Sequence, residues 1–176
     1  MEWAGRWRSD AALRVVDVGG RDINGSPRHL FPAADPYVAV DLFDGPGVDV
    51  VCDVVSWTPP HPFDVVLCLE VLEHAESWPA IVEAMFGLCA PGGLAVVTCA
   101  GPGRHAHSAV DGGPLRPGEW YGNVAPGELG AVLGAVGFVD VVVEQQGADT
   151  RGCAVRPEQG PHQERSRRWQ QQRKVA

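Results

Sequence analysis

No Cys-x-x-Cys pair occurs in this chain. Its five cysteines (Cys52, Cys68, Cys89, Cys99 and Cys153) are scattered and four of them sit inside apolar segments, so a zinc or dithiol spacing is excluded and reduced core thiols are expected. No run approaches the ~18 apolar residues of a membrane span, and the first residues do not join a basic start to an apolar stretch. The expectation is a soluble cytoplasmic protein with no membrane partner. Lysine is nearly absent: Lys174 is the single one among fourteen basic residues. Together with the abundance of Gly, Ala, Val and Pro, this marks a GC-rich coding bias and carries no chemistry. Positive charge is scarce as well. The formal net charge is −8; since the last twenty residues hold five basic and two acidic side chains, Met1 to Arg156 carries nine basic against twenty acidic ones, a net of −11. A body that acidic disfavours nucleic acid as a partner.

What the chain does have is a repeating pattern of short Val-rich runs bounded by Gly, Pro and Asp. Its 176 residues, 45% of them hydrophobic, supply one ordinary core: a single domain over residues 1–156, followed by a polar, basic, low-complexity tail over 157–176 that is expected to be disordered. Strands are predicted at Leu13–Val18, Tyr37–Val40, Val48–Cys52, Phe63–Leu69, Leu94–Cys99, Phe138–Glu144 and Arg151–Val155. The first five are almost continuously apolar, as strands buried on both faces of a parallel sheet are. Helices are predicted at Trp3–Leu13, Ser77–Cys89 and Pro126–Val136. Ser77 is the expected cap of the second and Pro79 suits its first turn, with Ala90-Pro91-Gly92-Gly93 as its stop. Gly137 is the expected left-handed end of the third. The fold class is therefore α/β, a mostly parallel sheet of about seven strands with helices on both faces. Two crossovers are trimmed. Only six residues separate Asp41 from Val48, too few for a helix, so Val48–Cys52 either pairs antiparallel or is not a full strand. Ser26–Pro36 has room for a turn or two of helix.

Val15-Val16-Asp17-Val18-Gly19-Gly20 followed by Tyr37-Val38-Ala39-Val40-Asp41 reads as two buried strands joined through a glycine turn, the second ending in a carboxylate. A turn without side chains lets backbone approach a ligand, and an acid about 20 residues on can accept both ribose hydroxyl protons, which is what an adenosine-containing cofactor needs. Two further stretches follow in order, Phe63-Asp64-Val65-Val66-Leu67-Cys68-Leu69-Glu70-Val71-Leu72-Glu73-His74 and Leu88-Cys89-Ala90-Pro91-Gly92-Gly93. From about Leu13 to Val155 the chain resembles the compact class I S-adenosylmethionine-dependent methyltransferases that carry an E-V-L-E-H signature. The resemblance implies a Rossmann-like fold, S-adenosyl-L-methionine as cofactor and methyl transfer to an acceptor. The acidic body favours a small-molecule acceptor. A nicotinamide dinucleotide enzyme is the first rival, but its G-x-G-x-x-G turn is absent. A noncatalytic module that binds cofactor or a partner with the same fold is the second.

The resemblance assigns cofactor-binding roles to Asp17 (ammonium), Gly19 and Gly20 (backbone N–H approach), Asp41 (ribose), Asp53 (adenine amine), Leu42 and Val54 (either face of the ring) and Glu70, at the carboxyl end of the fourth strand. Arg21 and Ile23 stand where the family pattern has its later glycines, while Asn24-Gly25 signals a turn further on. Arg21 either pairs with the methionine carboxylate or faces solvent. Glu73 and His74 either touch ligand beside Glu70 or are first-turn residues that position the helix after them. For acceptor chemistry, His105 and His107 are the candidate bases, beside Glu70 as a third catalytic candidate. A metal at His105, His107 and Asp111 is weighed and not assigned, because H-x-H alone is a poor ligand signature. The Gly- and Pro-rich segment 112–123 is a candidate lid, in which Trp120 and Tyr121 either stack on an acceptor or anchor the loop.

Overall fold

The computed structural model describes residues 12–158; most of the helix expected over 3–13, and the tail from residue 159 onward, lie outside them. β1 (Val15–Val18), β2 (Tyr37–Asp41), β3 (Val50–Val51), β4 (Phe63–Leu69), β5 (Cys89–Ala100), β6 (Val139–Gln146) and β7 (Asp149–Val155) form one sheet in the order β3-β2-β1-β4-β5-β7-β6. β1 to β5 pair in parallel, and β7 runs antiparallel between β5 and β6. α1 (Trp78–Leu88) and α2 (Pro126–Val136) cross between strands, and short 3₁₀ turns occur at Pro27–Leu30 and Leu72–His74. No helix among the described residues is long and apolar enough to cross a membrane.

The unbroken apolar runs are buried as their pattern requires: all four residues of β1 and five of the seven in β4 are inaccessible. Successive strand residues point to opposite faces, which divides the core. Val16, Val18, Val66 and Cys68 face Val82 and Met85 of α1 together with Leu129 and Leu133 of α2. On the other face Val15, Val65 and Leu67 are covered by Leu13, Phe31, Ala34 and Tyr37, largely the β1–β2 connection.

One alternative is settled and two expectations change. Val48–Cys52 is not a full strand: β3 is only two residues long and is parallel to β2, pairing Val50 with Val40 and Val51 with Asp41. A tight loop suffices there because side chains replace the missing ladder: Asp49 accepts from the Ala39 N–H at 2.8 Å and from the Arg28 guanidinium at 2.5 Å. Ser77 sits at the start of α1, but its side chain makes no capping bond. The end of α1 is not set by Ala90–Gly93 either, since those residues already belong to β5. Instead Arg156, at the end of β7, donates to the Phe86 and Gly87 carbonyls at 2.9 and 3.2 Å and to that of Cys89. It also stacks on the Phe86 ring, a cation placed where the helix dipole is negative. α2 keeps its predicted bounds, with the Glu128 side chain accepting from the Ala125 N–H at 3.0 Å and Gly137 at φ 110°.

β4 is fastened to the chain entering β1 by Asp64, which accepts from the Arg14 N–H at 2.9 Å and from its guanidinium at 3.1 and 2.8 Å. The Arg14 hydrogen bonds hold the Asp64 carboxyl below its ordinary value of 3.8. A lowered native pKa contributes stability above the unfolded pKa and loses it as pH falls through the folded one. Asp64→Asn should therefore cost about 1 kcal/mol in urea unfolding at pH 7, with the deficit shrinking once the pH drops below 3.8. A deficit of equal size at pH 3 would show that the pair's charge contributes nothing.

Candidate functional site

In an open α/β sheet the crevice lies outside the carboxyl ends of the strands where the order reverses, here between β1 and β4. A cavity of about 450 Å³ opens at that point, lined among others by Asp17, Arg21, Asp41, Asp53, Glu70 and His107. Such a volume suits a ligand of small-molecule size. Asp17 is buried and its Oδ2 accepts from the Tyr37 hydroxyl at 2.8 Å. Burial pushes its pKa up, opposed by that hydrogen bond. Asp41 and Asp53 each accept from the backbone N–H two residues on through Oδ1, from Phe43 at 2.9 Å and Val55 at 3.0 Å. These Asx-type turns fix both carboxylates and leave each Oδ2 without a hydrogen-bond partner among the described residues. Leu42 and Val54 both reach the cavity wall; Leu42 is exposed and Val54 is anchored in the core.

The glycine turn works differently from the expectation. Gly19 and Gly20 both donate to the Val40 carbonyl, at 2.8 and 3.0 Å, so neither N–H is available to a ligand. Glycine is needed there for packing. Gly19 has φ +74°, and a Cβ on it would lie 2.3 Å from Val71; one on Gly20 would lie 2.8 Å from the Ala39 side chain. Arg21 does not face open solvent: it lines the cavity and donates to the Ala109 carbonyl at 3.1 Å, tying the glycine turn to the segment after β5.

At the far end of the cavity Glu70 has φ 58°, rare for a residue with a side chain. Its Oε1 accepts from Thr98 at 2.8 Å and its Oε2 pairs with Arg104 at 3.2 Å, while Arg104 also pairs with Asp149. Beside it, the 3₁₀ turn Leu72–His74 buries Glu73 completely. Among the described residues, neither Glu73 carboxylate oxygen nor the Nδ1 of His74 has a well-aligned hydrogen-bond partner, although the nearby backbone N–H groups of Glu73 and Ala100 favour the ionised form of Glu73. Burial raises the Glu73 pKa to about 7 and lowers that of His74 to about 4. The His74 and His107 rings meet edge to face at 4.9 Å, and Tyr121 packs against them at 5.5 and 5.0 Å.

A family model described as "Methyltransferase domain" matches residues 5–143. The chain belongs to the methyltransferase-domain family. Over 91 residues it is 56% identical to the ubiquinone biosynthesis O-methyltransferase of Psychrobacter cryohalolentis, covering 52% of this chain and 33% of that protein. Over 101 residues it is 33% identical to that of Neisseria meningitidis, covering 53% and 40%. The chain thus spans only about a third of the length of the first of these relatives. Among solved structures, the DhpI–SAH complex aligns with a TM-score of 0.61 at 22% identity, covering 84% of this chain and 78% of that one. SAM-bound CalS10, an amino pentose methyltransferase from Micromonospora echinaspora, aligns with 0.62 at 18%, covering 82% and 84%. At these identities the likeness establishes the Rossmann-like class I fold.

In this methyltransferase domain the acids put forward from the sequence come together, whereas the acceptor-side candidates do not. His105 is exposed and stays off the cavity wall; its carbonyl holds the His107 Nδ1 at 3.1 Å and the Tyr121 hydroxyl at 3.2 Å. Asp111 points away to Arg116 at 2.6 Å, so His105, His107 and Asp111 form no site. Glu70 reaches the cavity, but both its oxygens are engaged. Tyr121 anchors the loop, and Trp120 folds back over Gly122. The sequence reading missed Tyr37, Arg104 and the approach of His107 to Glu73 and His74; the first two carry no local signal, and the third joins residues more than 30 positions apart.

The segment from Ser108 to Glu119 is knit internally. Buried Ser108 donates to Glu119 at 2.8 Å, and Glu119 accepts from the Arg116 N–H at 2.7 Å. Glu119→Ala should leave the Tm within a few degrees of wild type yet raise amide exchange across 108–119 at least tenfold, read by mass spectrometry; unchanged protection there would mean other contacts hold the loop.

Proposed function

We propose that the domain binds S-adenosyl-L-methionine in the cavity at the carboxyl ends of β1 to β4 and transfers its methyl group to a small-molecule acceptor. The observation that carries this reading is the convergence of Asp17, Asp41 and Asp53 on one cavity wall, the latter two held by their own turns with one oxygen each unpaired. Family membership and the methyltransferase names of the relatives support it. The residues fit the cofactor. Asp41 would accept from the ribose hydroxyls, Asp53 from the adenine amine between Leu42 and Val54, and Asp17 would face the ammonium with Tyr37 holding its other contact. Charge-assisted bonds of this kind are roughly twice as strong as neutral ones. Arg21 supplies a guanidinium at the same end. When bound, the sulfonium supplies an electrophilic methyl carbon.

The chain's own contribution is then alignment and exclusion of water, which supply several kcal/mol without a covalent step. Glu70, fixed by Thr98 and Arg104, shapes the cavity wall at the acceptor end, while His107 brings the one histidine ring of the 101–108 loop that lines the cavity. The net charge of −11 over residues 1–156 supports a small uncharged or cationic acceptor over nucleic acid. Five free cysteines, three of them buried, support a reducing, cytoplasmic location. A module that binds cofactor without turnover is the second reading, favoured by the engagement of both Glu70 oxygens.

Calorimetric titration of the full chain with S-adenosylmethionine, S-adenosylhomocysteine and NAD tests this. Micromolar binding of the first two, weakened at least tenfold by Asp41→Ala and absent for NAD, is expected. Equal affinity in the variant would overturn the ribose assignment, and silence from a folded protein would overturn the cofactor. Acceptor screening with radiolabelled cofactor separates an enzyme from a binding module.

A further inference from the structure

The first residue of β2 approaches the cavity wall from behind. Val15 lies in register with Tyr37 and Asp17 with Ala39, and successive strand residues alternate between faces, so these four side chains share one side of the sheet. Ala39 is small enough for the phenol to run along the strand past it, and the Tyr37 hydroxyl donates to Asp17 Oδ2 at 2.8 Å. The ring is clamped. Phe31 packs against it with centroids 6.2 Å apart, and the Arg28 guanidinium lies 4.4 Å over it while donating to the Tyr37 carbonyl at 3.3 Å and pairing with Asp49 at 2.5 Å. Tyr37 does not itself line the cavity, whereas Asp17 does.

Asp17 is 3% exposed, and a buried carboxylate is costly unless a donor meets it. Among the described residues the Tyr37 hydroxyl is its single hydrogen-bond donor. Burial pushes the Asp17 carboxyl up, and the Tyr37 bond is the largest influence against that; Arg28 of the Pro27–Leu30 turn also lowers it from a distance, and Asp41 at the end of β2 raises it. Cys68 of β4 is kept a neutral thiol by its own burial. Burial and the Asp17 charge in turn hold the phenol above its ordinary range, so the donor keeps its proton throughout the physiological range.

We propose that Tyr37 is a positioning residue that, by aiming Asp17 and keeping it ionised, makes the cavity select adenosine ligands carrying an ammonium group over those without one.

This role rests on the proposed cofactor site and adds to it the source of its selectivity. With Oδ2 held, Oδ1 is left to accept from an ammonium, and the carboxylate cannot swing away from the cavity. That bond is charge-assisted and exists only while Asp17 is deprotonated. The adenosine end is met by Asp41 and Asp53 instead and does not depend on Tyr37. Affinity for the amino acid end therefore falls as pH drops through the Asp17 pKa, and loss of the hydroxyl, which removes a lowering influence, moves that fall to higher pH.

The test compares calorimetric affinities of the full-length wild type, Tyr37→Phe, Asp17→Asn and the double variant for two ligands. One is S-adenosylhomocysteine; the other is 5′-methylthioadenosine, which keeps the adenosine and thioether but lacks the amino acid end. Tyr37→Phe retains the ring, the Arg28 stack and the contact with Phe31. It should weaken S-adenosylhomocysteine about tenfold, as expected for one hydrogen bond to a charged group, leave methylthioadenosine within about twofold, and move the acid limb of S-adenosylhomocysteine affinity to higher pH. With Asp17 already replaced by Asn, the same substitution should have no further effect. In the wild type alone, the ratio of the two affinities should fall from neutral to acid pH as Asp17 takes up its proton. Equal weakening of both ligands by Tyr37→Phe, a full effect of that substitution on top of Asp17→Asn, or a wild-type ratio that ignores pH overturns the selection. Unchanged S-adenosylhomocysteine affinity in Tyr37→Phe overturns it while sparing the cofactor site; binding of neither ligand to folded wild type overturns both.

Discussion

The whole cavity hangs on one carbonyl. Val40 accepts from both Gly19 and Gly20, and those two bonds turn the chain sharply at the end of β1 while pinning the turn to the end of β2. Because β1 and β2 pair in parallel with Val18 opposite Val40, Asp17 and Asp41 reach the same wall, although 24 positions separate them in the chain. The two glycines are required by this closeness: Val71 and Ala39 occupy the space any side chain would need. Both glycine N–H groups are thereby consumed, and the polar groups left at this wall of the cavity are the side-chain carboxylates of Asp17, Asp41 and Asp53.

The opposite wall is built with similar economy. Glu70 leaves β4 in a left-handed conformation whose strain of order 1–3 kcal/mol is offset by Thr98 and by the Arg104 pair that Asp149 shares. Since Arg104 opens the loop after β5 and Asp149 opens β7, this network positions the start of that loop. The loop's other end is held by Asn123, which donates to the Gly101 and Arg104 carbonyls, and by the Gly122 N–H to the Glu73 carbonyl. The loop is then fixed at both ends, knit internally through Ser108 and Glu119, and latched to the glycine turn by Arg21. A segment rich in Gly and Pro becomes a fixed cover.

Much of this was legible in the sequence because it follows from local rules. The Val-rich runs specified β4 to the residue and the end of β1, whose start lies two residues later than predicted, since strands buried on two faces have no freedom to alternate. Gly137 and Pro126 bounded α2. The order of the four motif stretches identified the family, and Asp17, Asp41 and Asp53, put forward as cofactor ligands, line the cavity because they lie at or just beyond the carboxyl ends of β1, β2 and β3. Local grammar erred at both ends of α1: Ser77 makes no capping bond, and where Ala90–Gly93 were expected to stop the helix, Arg156, just past β7, holds its terminus and Cys89–Gly93 belong to β5.

The surroundings of Glu73 show the same limit more sharply. Spacing grouped His105, His107 and Asp111, which are near in sequence; the fold sends Asp111 to Arg116 and His105 outward, and delivers His107 to Glu73 and His74, over 30 positions earlier. What the sequence by itself determined is the order of strands and helices, the family and the carboxylates at strand ends, because hydrophobic period and turn chemistry act over a few residues. Which donors those carboxylates meet, which histidine enters the cavity and which acid is left buried without a partner were decided only by the tertiary structure, because hydrogen bonds and burial depend on atoms that the chain brings together from a distance.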